Sequence, residues 1–152
     1  VNTSLRARLL RLNAGLLPPD QAVWLACDLL VAGYETPAVI ELAGESPTQL
    51  WTWEADPLVD RVLEELGIPR LSDEERDWVE HRDLALDVIS GKLTPDHWAC
   101  CAWPLGELVS GDELDELRAL AIGDPDAVAD RVLQFARECV RIVDERVGLR
   151  LP

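Results

Sequence analysis

The sequence predicts an all-α protein: a single compact bundle of about eight helices, built as two similar four-helix halves at about 3–67 and 72–148. Three observations carry this expectation. Apolar residues are 48% of the 152, and they are mostly Leu, Val and Ala rather than the β-branched and aromatic types that sheets favour. They recur at helical spacing. The same order of helix starts and stops also occurs twice along the chain.

In the first helix Leu5, Leu9, Leu12 and Leu16 form one stripe. The second, about Pro19 to Ala32, is apolar nearly all round and is expected to lie centrally. Thr36-Pro37 opens a short third helix that ends before Gly44, a threonine capping and a proline at the first helical position. The fourth region, Pro47 to Leu66, contains Asp56-Pro57, which is expected to break or kink it.

Ser72-Asp73-Glu74-Glu75 is a capping-box pattern, and the fifth helix runs from it to about Ile89. Pro95 to Val109 is again strongly apolar, with a kink expected at Pro104. Leu114, Leu117, Leu120 and Ala121 mark a seventh helix. The eighth, Pro125 to Val147, turns Val128, Val132, Phe135, Cys139, Ile142 and Val143 inward.

The repeat rests on punctuation. Gly15, Gly33, Gly44 and Gly67 align with Gly91, Gly111, Gly123 and Gly148 at offsets of 76, 78, 79 and 81. Pro18-Pro19-Asp20 matches Thr94-Pro95-Asp96, and Ser46-Pro47 matches Asp124-Pro125. Asp60-Arg61-Val62-Leu63 recurs as Asp130-Arg131-Val132-Leu133, at an offset of 70. Helices this short need neighbours to be stable, which favours one bundle over separate beads.

A chain of this length hides about 70% of its unfolded surface on folding, enough for a real core. The formal charge is −15, with residues 1–70 contributing −5 and residues 71–152 contributing −10. Such a field repels nucleic acid and anionic membranes and attracts a basic protein. Thirteen arginines against one lysine, Lys92, with no methionine, and Val1 read as a literally translated GTG start, lead to the expectation of a bacterial genome rich in GC. No stretch reaches the roughly 20 apolar residues needed to span a bilayer. Arg6, Arg8 and Arg11 interrupt what a targeting peptide would keep continuous, so the expected location is the cytoplasm. Cys27, Cys100, Cys101 and Cys139 lie in apolar helical stretches and are expected to be reduced, buried and inert.

Few residue sets offer chemistry. His97 and Cys101 have the i, i+4 spacing of two metal ligands on a helix face, with Cys27 a conceivable third. Paired ligand spacings are missing, so the expectation is no metal and no cofactor. Asp73, Glu74, Glu75 and Asp77, then Asp112, Glu113, Asp115 and Glu116, read as solvated helix faces near N-termini. His81, between Glu80 and Arg82, reads as helix surface. Phosphate loops, nucleophile elbows and zinc-protease signatures are all absent, so no catalytic residue is assigned. Trp98 belongs to a core stripe with Cys101, Ala102, Leu105 and Leu108. Trp51 and Trp53 differ: two apart, they point to nearly opposite sides of a helix and cannot both enter one core. Either one is exposed for a ligand or partner, or the segment is irregular and both rings close the bundle's end.

The sequence therefore predicts a non-enzymatic protein-interaction module for a basic partner, as an antitoxin or immunity-type protein would be. Its candidate binding residues are Trp51, Trp53, His97 and Trp103. The alternative is a small-molecule or enzymatic pocket between the halves, lined by Trp24, Cys27, His97, Cys100 and Trp103. A homodimer through the second half or the first helix is a third expectation.

Overall fold

A computed structural model of the chain describes residues 3–95, 97, 98, 112, 115, 116, 119 and 122–147. Among these the regular elements are six α-helices, with no strand: α1 (Thr3–Asn13), α2 (Pro19–Val31), α3 (Pro37–Ala43), α4 (Thr52–Glu65), α5 (Asp73–Ile89) and α6 (Pro125–Val147). The chain is all-α. The expected helices at Pro95–Val109 and around Leu114–Ala121, with the kink at Pro104, lie largely outside the described residues. The chain divides into two compact units, one running to Arg76 and the other starting at Asp77.

The first unit is built from α1–α4. α2 packs on α1 and α3, α3 packs on α4, and α1 and α4 also meet. Leu5, Leu9 and Leu12 enter the core from α1, and Leu58, Val59, Val62 and Leu63 enter along one side of α4, followed by Leu66 just past its end. Each such side chain, fully buried, stabilises by about 1.5–3 kcal/mol relative to exposure. α2 departs from expectation. Its core face is Ala22, Val23, Leu25, Ala26 and Leu29. Trp24 and Val31 lie half a turn away and are 58% and 90% exposed. The helix is therefore apolar on both sides but buried on only one.

Helix ends follow the sequence signals closely. Thr36 accepts the Val39 N–H at 3.4 Å and Pro37 begins α3. Ser72 and Glu75 cap reciprocally: the Ser72 N–H donates to Glu75 Oε2 at 2.8 Å, and the Glu75 N–H donates to Ser72 Oγ at 3.2 Å. Gly15, Gly33, Gly67 and Gly91 all have positive φ, and each is followed by a residue whose N–H reaches back five positions. These are left-handed helix stops that a side chain would strain. Gly44 ends α3 with φ −82°, and Gly123 also lacks positive φ, so neither uses the left-handed turn. Gly111 and Gly148 lie outside the described residues.

The fourth region differs from expectation in where its helix begins and in running unbroken past Pro57. The helix starts at Thr52, not Pro47, because Ser46–Gln49 forms a turn in which Ser46 O accepts from Gln49 and Leu50. Pro57 does not break it: α4 continues through to Glu65. Pro57 and Trp53 share the exposed side of α4, so water can meet the Trp53 carbonyl that proline leaves unbonded.

Two polar ties lock this unit. Asn13, 1% exposed, donates Nδ2 to Pro69 O at 2.9 Å and accepts the Leu71 N–H at 3.3 Å. Glu65 Oε2 accepts the Ala38 N–H at 2.8 Å, joining the end of α4 to the start of α3. Arg8 pairs with Asp28 and Arg70 with Asp60 on the surface.

In the second unit α6 buries Val132, Phe135, Ala136, Cys139, Val143 and Val147. Ile142 is half-buried, and the Val128 side chain lies outside the description. Trp98 is fully buried and meets Phe135 edge-on, ring centroids 5.9 Å apart at 61°. Arg82 of α5 grips Asp144 of α6 with two hydrogen bonds, Nε to Oδ1 at 2.5 Å and Nη2 to Oδ2 at 3.2 Å. Arg141 lies between Glu138 and Glu145 on α6, and the hydrogen bonds it donates to these two carboxylates hold its guanidinium still more firmly protonated.

Candidate functional site

The feature that stands apart from the packing is the start of α4. Trp51 is the N-cap residue with extended backbone, φ −84° and ψ 153°, and Trp53 is the second residue of the helix. Trp53 precedes the buried Val62 by nine residues, about two and a half turns, which places it opposite the core stripe. Both rings reach solvent, Trp51 at 68% and Trp53 at 70% exposure. Neither closes the core. Glu54 folds back so that its carboxylate accepts the Trp51 N–H at 3.1 Å, which steadies the helix start.

Beside this corner is a notch of about 290 Å³, lined by Glu45, Ser46, Gln49, Leu50, Glu54 and Leu58. The Ser46–Gln49 turn forms one wall and the first turns of α4 the other. Two carboxylates and no cation line it. The Glu45 side chain has no hydrogen-bond or ion-pair partner among the described residues.

The other sequence candidates are dispersed. His97 is exposed and lies in the second unit, and Trp103, Cys100 and Cys101 are outside the described residues. Trp24 faces solvent from α2. Cys27 is half-buried, its Sγ 3.9 Å from Ala43 O. Cys139 is buried. His81 is half-buried, and its Nδ1 donates to the Asp77 carbonyl at 2.7 Å, tying the ring to its own helix. No group of three or more His, Cys, Asp or Glu able to hold a metal occurs among the described residues. No described helix is long and apolar enough to cross a membrane.

No family model, curated protein or solved structure matches the chain.

Sequence reasoning missed one exposed aromatic, Trp24. The signal was present: Trp24 is half a turn out of phase with Ala22, Leu25, Ala26 and Leu29. The notch was not legible, because it depends on how the Ser46–Gln49 turn meets α4.

Proposed function

We propose that this protein is a non-enzymatic interaction module that docks a basic protein partner through the Trp51–Trp53 corner. The observation that carries the reading is the simultaneous exposure of these two rings at one helix start. Exposing two tryptophans forgoes burial worth several kcal/mol, and such rings are the side chains that most often anchor protein interfaces. The surrounding surface is acidic: Glu45, Glu54 and Asp56 are exposed nearby, and the whole chain carries −15. Charge of this kind speeds association with a basic partner and makes it sensitive to salt. A bacterial, cytoplasmic antitoxin or immunity-type protein covering a toxin's basic active site is the concrete form of this reading. It includes an eight-helix architecture of two related halves, which the matching turns at Gly15 and Gly91 support.

A tagged pull-down from the native host lysate at low salt, eluted by a salt step, tests it. The expected result is one stoichiometric basic protein released by salt. Recovery of the bait alone, or of a partner that resists salt, would overturn the reading.

A further inference from the structure

The notch beside Trp51 specifies the chemistry of what docks there. Its volume, about 290 Å³, lies at the bottom of the range of small-molecule sites, about 300–1,000 Å³. It suits one inserted side chain better than a cofactor. Its polar groups select the charge. Glu54 is occupied on one side by the Trp51 N–H, which offsets the positive end of α4. Glu45 stands free, directly after Gly44 at the carbonyl end of α3, where a helix end favours a cation. Ser46 and Gln49 add neutral acceptors, and the exposed lining is mostly polar, with only a small apolar contribution from Leu50 and Leu58. Trp51 sits in the chain between the lining residues Leu50 and Glu54, and Trp53 directly precedes Glu54.

We infer that the notch seats an arginine side chain of the basic partner, its guanidinium held by Glu45 and Glu54, while apolar residues flanking that arginine cover Trp51 and Trp53. The inference rests on the docking reading above and names its anchor. A guanidinium fits better than an ammonium here. It is planar, offers several donors to two carboxylates at once and stacks on indole rings. Cation–π contact adds to the ion pairing wherever the guanidinium meets an indole face.

The test uses a capped pentapeptide, Gly-Leu-Arg-Leu-Gly, and its citrulline counterpart, which keeps the shape and loses the charge. Binding is read at low salt from the indole N–H signals of the full chain, assigned with single Trp→Phe variants. The arginine peptide is expected to shift the Trp51 and Trp53 signals saturably. Citrulline should weaken binding about tenfold, and Glu45→Gln about threefold to fivefold, the size of exposed charge and cation–π contacts. Glu54→Gln keeps an oxygen for the Trp51 N–H, so a loss of binding there with unchanged helicity also supports the inference. Absence of saturable binding, equal binding of the two peptides, or an unchanged Glu45→Gln would overturn it. If Glu45→Gln has no effect while loss of both tryptophans still ends partner capture, the notch falls and the docking reading stands. If the tryptophans are also dispensable, both fall.

Discussion

The Glu65 carboxylate caps a helix other than its own, accepting the Ala38 N–H at 2.8 Å from the first turn of α3. That bond, then one from the Thr36 side chain and the charge of Arg61, hold the Glu65 carboxyl below the ordinary glutamate value of 4.5. A carboxylate so placed meets both the free N–H groups and the positive end of α3.

Because the folded value is lowered, this stabilisation is fully present above the unfolded glutamate value and is lost as pH falls through the folded one. The wild-type chain should therefore lose urea resistance below about pH 4.5 more steeply than Glu65→Gln, in which no proton is taken up. Urea midpoints of the two proteins measured in parallel from pH 7 downward would show the curves converging with acid. Parallel curves would mean that the cap is not formed in solution.

Asn13 makes the strongest buried polar claim in the first unit. Asn13→Leu removes a donor and an acceptor at once, leaving Pro69 O and the Leu71 N–H unpaired in a site the side chain fills at 1% exposure. Each orphaned group costs about 1–3 kcal/mol. A fall in stability of about 2–4 kcal/mol is expected by chemical denaturation. A loss under about 0.5 kcal/mol, typical of surface changes, would show that the 69–71 segment is not held this way.

Phe135 is the counterpart in the second unit. Phe135→Ala leaves a cavity against the buried Trp98 ring and should cost about 3–5 kcal/mol. Phe135→Leu, which refills part of that volume, should cost less. The Trp98 contribution to the near-ultraviolet circular dichroism should weaken in the alanine variant, because its edge-on neighbour is gone. Equal stability of the alanine and leucine variants would count against close packing at this pair.

What the sequence made legible was local. The Ser72–Glu75 box and the Thr36–Pro37 start formed where expected because each satisfies its hydrogen bonds within one turn. The Leu5, Leu9, Leu12 stripe was legible because helical spacing alone brings it to one face. Glycine stops were legible as stops, but Gly44 shows that a glycine after a helix need not turn left-handed. Pro57 did not break α4, because the cost of proline depends on whether water reaches the carbonyl it orphans. That depends on the exposed side of α4, a tertiary fact. Of the candidate site, the misfit of two tryptophans two residues apart was visible in the chain. Exposure of both rings followed only from Trp51 standing outside the helix and Trp53 standing opposite Val62. The Asn13 and Glu65 ties span more than 25 residues of sequence and leave no local mark.

On the docking reading we propose, Trp51 and Trp53 serve binding and not folding, and one comparison addresses both roles. Trp51→Ala/Trp53→Ala and wild type are carried through the same urea titration and the same low-salt capture. Stability within about 1 kcal/mol of wild type is expected, as for two exposed positions, together with loss of the salt-released partner. A double variant that unfolds, or one that captures the partner as well as wild type does, would contradict it.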